Sequence, residues 1–347
     1  AVTVDSSHNL TLDLGSRIVM ESAADGATAI LVHGGNTASI ENRSVITIFD
    51  SVTATDSDND GDADGAFASG TGRYGIRVVG PGALTGDVHN NGTITVEGNQ
   101  SAAISIETDL IGNLIQSGSI TMVGDQSYGL RTTGSVSGIY FAGGQIAVTG
   151  AGSVGVSVEG DLAGRLTFGG GITATGFRYT GQLSQTQIER LDADDLLIGG
   201  PAVSVSANVG AGILFDLPHL NDTSDTDDDD DGILDVDDPD DNNNGVVDTE
   251  ESASSITSFG SAPAVQIGST TQTVTVGVVG TGDQAFGIIN RGSIVGNGIY
   301  EGIDATALRI GVDGGMAVTI DGGFRNSGTL LAISANGTAT ALIVDAN

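Results

Sequence analysis

The fold is decided by three consecutive stretches of 26 residues: "GDVHNNGTITVEGNQSAAISIETDLI" (86–111), "GNLIQSGSITMVGDQSYGLRTTGSVS" (112–137) and "GIYFAGGQIAVTGAGSVGVSVEGDLA" (138–163). A shorter fourth copy begins at Gly164. In each stretch, short runs of alternating apolar and polar residues are separated by Gly, Asn, Asp or Ser, which is the pattern of brief, half-buried strands between turns. Because so small a unit cannot bury its apolar face alone, successive units must stack.

Apolar residues hold the same position from one repeat to the next. These columns are Val88, Leu114, Tyr140 and Leu166; Ile94, Ile120, Ile146 and Ile172; Val96, Met122, Val148 and Ala174; and Ile104, Leu130 and Val156. Thr132 interrupts a further column between Ile106 and Val158, and we expect its hydroxyl to bond a neighbouring coil. The sequence therefore predicts an all-β protein: one right-handed parallel β-helix over residues 1–347, with three-strand coils and almost no helix.

One strand motif recurs ten times and predicts about ten coils. Its copies are "ATAILV" (27–32), "YGIRVV" (74–79), "SAAISI" (101–106), "SYGLRT" (127–132), "SVGVSV" (153–158), "GPAVSVS" (200–206), "SAPAVQI" (261–267), "QAFGIIN" (284–290), "ATALRI" (305–310) and "ATALIV" (339–344). Three insertions interrupt the stack, at residues 51–71, 177–199 and 217–257, and insertions at a corner leave a ladder intact. The second insertion, with "QTQIERLDADDLLIG" (185–199), is predicted to be a loop or a short helix without chemistry.

The composition restricts the partners. The chain has 11 Lys+Arg against 44 Asp+Glu and a net charge of −33, which argues against nucleic acid or an anionic membrane as a partner. The absence of Cys excludes disulfides and thiolate metal sites. The first residues lack a signal-peptide pattern and the last fall within a coil, so we expect a mature segment of a longer protein, without direct membrane insertion.

The third insertion carries two calcium-type loops in tandem, within "DTDDDDDGILDVDDPDDNNNGVVDTEE" (225–251). In such loops oxygens from positions 1, 3, 5, 7, 9 and 12 surround one cation, and Gly at position 6 permits the turn. The predicted ligands are Asp227, Asp229, Asp231, the Ile233 carbonyl, Asp235 and Asp238, then Asp240, Asn242, Asn244, the Val246 carbonyl, Asp248 and Glu251. We expect Leu234 and Val247, at position 8, to pack inward.

A partial third copy, "DSDNDGDAD" (56–64), lies in the first insertion. Its predicted ligands are Asp56, Asp58, Asp60, Asp62 and Asp64. Position 12 is Phe67, so another residue or a water must close this weaker site. The alternative for all three copies is a solvated acidic loop without an ion.

Two resemblances follow from these residues. The tandem at 225–251 resembles the calcium repeats of thrombospondin type 3 segments, which implies loops organised by ions, although the Cys of that family is missing. The units "HNNGTITVEGNQSAAISIE" (89–107), "QSGSITMVGDQSYGLRT" (116–132) and "FRNSGTLLAISANGTATALIV" (324–344) resemble the passenger region of bacterial autotransporters. That family implies an extracellular place on the bacterial surface, attached to the outer membrane or released. It also implies adhesion or self-association, with host or cell-surface carbohydrate or protein as partners.

Two alternatives remain open. One is a self-assembling surface-layer or filament subunit in which calcium bridges neighbours. The other is a polysaccharide lyase or hydrolase that uses Arg77, Arg131, Glu107 and Glu159, since Arg77 and Arg131 fall at the same strand position on either side of Ser105. No third acid or base joins them, so we predict a non-enzymatic protein without catalytic residues. The histidines are scattered, and we interpret them as surface or turn residues: His8, His33, His89 and His219.

Overall fold

The computed structural model describes residues 1–53, 55–57, 64–138, 140–181, 183–218, 233–241 and 246–345. In these ranges the chain forms thirty β-strands and a single α-helix, α1 (Gln185–Ile188), whose amino end is capped by the Ser184 side chain. The same ranges contain no helix with the length and hydropathy needed to span a membrane. The all-β class predicted from the sequence is confirmed.

The strands are short and follow one another along the chain. The first ten are β1 (Val2–Val4), β2 (Leu10–Leu12), β3 (Arg17–Met20), β4 (Thr28–His33), β5 (Ile40–Asn42), β6 (Val45–Ile48), β7 (Tyr74–Val79), β8 (Leu84–Thr85), β9 (Val88–Asn90) and β10 (Thr93–Glu97). The next ten are β11 (Ala102–Ile106), β12 (Leu110–Ile111), β13 (Leu114–Gln116), β14 (Ser119–Val123), β15 (Tyr128–Thr132), β16 (Tyr140–Thr149), β17 (Val154–Val158), β18 (Leu166–Thr175), β19 (Val203–Val205) and β20 (Ile213–Phe215). The last ten are β21 (Ser255–Phe259), β22 (Val265–Ile267), β23 (Val274–Val276), β24 (Ile288–Asn290), β25 (Ser293–Glu301), β26 (Ala305–Ile310), β27 (Val318–Ile320), β28 (Phe324–Asn326), β29 (Thr329–Ala335) and β30 (Ala339–Val344).

Long parallel sheets organise these strands. In the described part of the chain, sheet A has ten strands in the order β1-β4-β7-β11-β15-β17-β19-β22-β26-β30, and sheet B has sixteen. The pairings are parallel, as between β11 and β15 or β10 and β14. Each strand of sheet A therefore pairs with the next one only after the chain has crossed to sheet B and returned. This arrangement is consistent with a β-solenoid.

The predicted apolar columns are confirmed by the strand register. Ile94 pairs with Ile120, Ile120 with Ile146 and Ile146 with Ile172, and all four side chains are buried. The column continues beyond the regular repeats, through Ile46 on one side and Ile256 on the other. The stacked columns belong to one continuous hydrophobic core. Burial of each Ile in it contributes about 1.5–3 kcal/mol to the stability of the fold.

Buried amides form a second kind of column inside the stack. The Asn42 side chain donates to Oδ1 of Asn90 at 2.6 Å, and Asn90 donates to Oε1 of Gln116 at 2.7 Å. All three residues are buried, and such hydrogen bonds offset the cost of removing the amides from water. The ladder ties the turns between β5 and β6, β9 and β10, and β13 and β14 to one another.

A glycine column marks the corner after β10 and β14. Gly124 has a φ of +141°, and a Cβ at this position would lie 2.2 Å from the carbonyl oxygen of Gly98. Gly150 repeats the arrangement one strand further, where a Cβ would lie 2.1 Å from the carbonyl oxygen of Gly124. Only glycine allows the coils to approach so closely at this corner.

One of the ten copies of the predicted strand motif does not join the other nine in sheet A. Residues 284–290, "QAFGIIN", contribute β24, which lies in sheet B between β20 and β28. Instead, the tenth strand of sheet A is β1. The Asn290 side chain explains the difference, because it donates to Asn326 at 2.7 Å in an amide pair like that of Asn42 and Asn90. The sequence "Asn-x-Gly" at residues 290–292 also occurs at residues 90–92, where it follows a strand of sheet B. This motif, rather than the strand motif, indicates sheet B.

The expectation for Thr132 is wrong. Thr132 is 1% exposed and pairs with Ile106 and Val158, but its hydroxyl has no hydrogen-bond partner within the described residues. Its neighbours in the column are hydrocarbon side chains, which offer no acceptor. The β-branched shape of Thr fits the column, and the hydroxyl is buried at a cost.

Candidate cation-binding insertions

The described part of the third insertion contains two short 3-10 turns, Asp235–Asp237 and Asp248–Glu250. Each turn begins at position 9 of a predicted calcium loop and follows an extended residue, Leu234 or Val247. The amides of Asp237 and Glu250 donate to the carbonyls of Leu234 and Val247, each at 2.8 Å. The amides of Asp238 and Glu251 donate to the carbonyls of Asp235 and Asp248, each at 3.2 Å. The two loops therefore share one backbone conformation at equivalent positions.

Burial separates the predicted ligand positions from their neighbours in these turns. Asp235 and Asp248, at position 9, are 2% and 4% exposed, and Asp238, at position 12 of the first loop, is also buried. The residues at positions 10 and 11 are exposed in both loops, and Glu251 is half-buried. Burying a carboxylate is costly unless it is paired or coordinates a metal, so this pattern fits an ion-organised loop.

Asp241 is a further buried carboxylate that the sequence did not assign to a site. It occupies position 2 of the second loop, where the calcium-loop spacing provides no ligand. The two loops are joined nearby, since the Asp248 amide donates to the carbonyl of Pro239 at 2.9 Å and the Asp240 amide donates to Oδ1 of Asp238 at 2.9 Å. Within an acidic run no residue-type signal distinguishes Asp241 from its neighbours, so only this packing reveals it.

The expected inward packing of position 8 is wrong, because Leu234 and Val247 are 42% and 36% exposed. Val246, at position 7, is buried instead and packs against Ile115 of β13 and Phe141 of β16. Successive residues of an extended segment point to opposite sides, so the inward Val246 turns Val247 outward. Val246 thereby anchors the third insertion on sheet B.

The remaining predicted ligands divide into two groups. Ile233, whose carbonyl is a predicted ligand, has an exposed side chain. Asp56 lies exposed in the first insertion. Apart from Asp64, the others lie outside the described residues, as does His219: Asp58, Asp60, Asp62, Asp227, Asp229, Asp231, Asn242 and Asn244.

The first and second insertions meet at Asp64. Its carboxylate lies with those of Asp192 and Asp194, and one oxygen from each residue falls within 4.8 Å of the other two. Oxygen ligands at such separations are compatible with a divalent cation. Because position 12 of this loop is Phe67, another residue or a water must complete its ligand set. The structure brings the carboxylates of Asp192 and Asp194, from the second insertion, to Asp64.

Arg178 supplies a positive charge beside this cluster. Its guanidinium lies 4.9 Å from the ring centre of Phe67 and donates to Oδ2 of Asp194 at 2.7 Å. The Gly65 amide donates to the same oxygen at 2.7 Å. The hydrogen bond with Asp192, together with those from Arg178 and Gly65, lowers the pKa of Asp194 to about 2 despite its desolvation. A cation at these carboxylates would therefore compete with Arg178.

The residues of the enzyme alternative form two ion pairs on sheet A. Arg77 donates to both carboxylate oxygens of Glu107, at 2.7 and 2.9 Å. Arg131 and Glu159 repeat these distances. The register places Ser105 between Arg77 and Arg131, as predicted. Each guanidinium also stacks on a tyrosine ring of its own strand, with centroid distances of 4.1 and 4.7 Å.

These contacts hold both glutamates ionised. Burial raises the pKa of Glu107, but the hydrogen bonds from Arg77 and Ser105 outweigh it and leave the pKa below its usual value. Burial also raises the pKa of Glu159, but the contacts with Arg131 and Ser157 outweigh it and leave the pKa below its usual value. A general acid needs a raised pKa near the working pH, so the arrangement suits a structural ion pair.

Among the histidines, His89 has the most evident contact. Its ring lies 3.0 Å from the Ser117 hydroxyl, and burial lowers its pKa. In the described ranges, His8, His33 and His89 are absent from any cluster of side chains that could hold a metal.

Comparisons of this chain with protein-family models, curated proteins and solved structures find no match.

Proposed function

We propose that this chain is a right-handed parallel β-helix that binds calcium through its acidic insertions and acts as a structural and adhesive protein on the bacterial cell surface. The parallel register of sheets A and B supports the β-helix. Crossovers between parallel strands of one sheet are right-handed in nearly all proteins, which supports the handedness. The acidic composition and the resemblance of the repeats to autotransporter passengers support the location.

The pair of matched turns at Asp235 and Asp248 carries the calcium proposal. An unselected acidic run has no reason to adopt the same turn twice, each time with position 9 buried and positions 10 and 11 exposed. Calcium prefers carboxylate and carbonyl oxygens at this spacing, and its charge offsets the burial of carboxylates. Because Val246 fixes the second loop to sheet B, a bound ion would order the insertion against the surface of that sheet.

The ion pairs on sheet A support a non-enzymatic role. Glu107 and Glu159, the best acid or base candidates in the regular repeats, are engaged by Arg77 and Arg131. A stack of short strands with a continuous core instead provides an extended, stiff surface on which loops and side chains can be displayed.

Calorimetric titration of calcium into the whole chain, after chelation, tests the calcium proposal. We expect Asp235→Asn and Asp248→Asn each to weaken one site by about tenfold or more. Asp237→Asn and Glu250→Gln are matched controls, since they remove the same charge from exposed positions of the same turns. Absence of binding at millimolar calcium, or equal losses in the controls, contradicts the proposal.

The cellular role needs a separate experiment. A bacterial host that displays the chain should adhere to an epithelial cell layer better than a host displaying none. Electron microscopy of the purified chain with and without calcium examines the assembly alternative. Ordered filaments or layers that form only with calcium would favour a surface-layer subunit over an adhesin.

A further inference from the structure

An open trough of about 590 Å³ lies on the outer face of sheet A, and the calcium proposal does not use it. It extends from Tyr128 and Glu159 to the corner loop at residues 268–272. Ser204 and Gln266 line it between these ends. The lining is dominated by hydroxyl and amide side chains, and its volume lies within the range of small-molecule sites.

The floor of the trough is a column of neutral polar side chains. Ser157 pairs with Ser204, and Ser204 pairs with Gln266, so one polar group recurs at each strand, about 4.8 Å from the next. The Ser157 hydroxyl donates to Glu159. In the described part of the chain, the hydroxyl of Ser204 and the amide of Gln266 make no hydrogen bond, so both are available to a ligand.

The charges at the two ends of the floor are compensated internally. Arg131 is held by Glu159 at one end. At the other end Arg309, which pairs with Gln266 in the register, is held by Asp345 at 2.8 Å and by Asp313. A charged ligand would have to compete with these pairs, whereas an uncharged one would not. The trough therefore favours an uncharged ligand.

The aromatic end and the far wall are held in place before any ligand arrives. The Tyr128 ring is stacked by the Arg131 guanidinium at 4.7 Å. In the wall, Nε2 of Gln272 donates to the carbonyl of Ser206 at 2.8 Å, and the hydroxyls of Ser269 and Thr271 are 3.2 Å apart. Preorganised groups lose little entropy when they bind.

We infer that this trough binds a neutral oligosaccharide, a proposal that rests on the adhesive role and gives it a ligand class. Sugar hydroxyls both donate and accept, as the Ser204 hydroxyl and Gln266 amide do, and the apolar face of a sugar ring packs on an aromatic ring such as that of Tyr128. The strand spacing is close to the length of one hexose unit, so successive floor groups can meet successive sugars. A peptide cannot add here as a strand, because β17, β19 and β22 already have neighbours on both sides.

Calorimetry with neutral hexasaccharides of glucose, xylose, mannose and N-acetylglucosamine tests the inference, with polygalacturonate as an acidic probe. At least one neutral probe should bind, and Gln266→Ala and Tyr128→Ala should each weaken its binding by about tenfold. Tyr74→Ala is the matched control, because Tyr74 stacks on Arg77 in the same way but lies outside the trough. Melting curves of all variants verify that the fold is retained.

Binding should be the same with calcium and with chelator, because the trough contains no residue of the acidic insertions. Loss of calcium binding or adhesion with sugar binding intact would therefore refute the proposed function alone. Failure of every neutral hexasaccharide to bind would overturn the sugar site, as would binding of polygalacturonate alone or an equal loss in Tyr74→Ala. Capture of extended peptides with the same dependence on Gln266 would also overturn it.

Discussion

Arg73 and Asp50 form an ion pair of 3.1 Å in which the side chains are only 4% and 2% exposed. The two residues stand at the two ends of the first insertion. Asp50 accepts hydrogen bonds from the amides of Ser69 and Gly70, and Arg73 donates to the carbonyl of Glu97 at 2.8 Å. The pair closes the neck of the insertion and fixes it to the stack.

Replacement of Asp50 by Asn should lower the free energy of unfolding by about 3–5 kcal/mol, because the charge of Arg73 then remains buried without its partner. Urea unfolding followed by circular dichroism measures the change. Glu41→Gln is the control, since it breaks the exposed pair with Arg43 and should have a much smaller effect on stability. Equal effects of the two substitutions would show that the Asp50 pair has no special weight.

Protonation of Asp50 should also lower the stability in acid. Burial raises the pKa of Asp50, but hydrogen bonds from Gly70 and Ser69 outweigh it, so the folded pKa lies below its usual range. The folded state therefore binds fewer protons, and this contribution is complete above about pH 4 and is lost as the pH falls through the folded pKa. Unfolding free energies measured from pH 7 to pH 3 should decrease, with a smaller decrease in Asp50→Asn. The same slope in both proteins would contradict this assignment.

Chelation should loosen the third insertion and leave the stack unchanged. The amides of Asp237, Asp238, Glu250 and Glu251 donate within the two matched turns, so we expect them to exchange with deuterium faster after calcium removal. Amides of β10 and β14, which pair within sheet B, should keep their protection. Hydrogen exchange read by mass spectrometry distinguishes the two regions. Unchanged exchange in both turns would be evidence against ion-dependent order.

Anchoring of the insertion through Val246 should influence calcium binding. Val246→Ser removes a buried contact with Ile115 and Phe141, and we expect calcium binding to weaken by about tenfold without a change in the melting of the stack. Val247→Ser makes the same chemical change at an exposed neighbour and should have little effect. Calorimetry and thermal denaturation of both variants provide the comparison. If Val247→Ser weakened binding as strongly, the anchor would be misassigned.

Thr132→Val should stabilise the protein by about 1 kcal/mol. The substitution removes a buried hydroxyl that has no partner in the described residues and keeps the β-branched shape between Ile106 and Val158. Thermal denaturation should show a higher melting temperature. The control Thr121→Val changes an exposed position of β14 and should be close to neutral. A destabilised Thr132→Val would imply that the hydroxyl makes a compensating contact.

The regular part of the fold could be predicted because each repeat has its apolar residues at the same positions. Ile94 and Ile120 hold the same place in their repeats, and burial of one aligns the next. Where the spacing loosens, the pattern is ambiguous: residues 284–290 match the strand motif of sheet A, but Ile288–Asn290 pairs with β20 in sheet B. In the insertions, the spacing indicated Asp235 and Asp248, but burial of Asp241 and Val246 depends on how the loop lies against sheet B.

The sequence by itself determined the periodic elements of this protein: the apolar columns and the spacing of the predicted calcium ligands. These patterns recur over short, fixed intervals, so local hydrophobicity and oxygen spacing are enough to identify them. Only the tertiary structure decided that Asp64 meets Asp192 and Asp194 and that Arg178 lies beside them. Such contacts join loops that are far apart in the chain, and they depend on the direction in which each insertion leaves the stack, which no local pattern encodes.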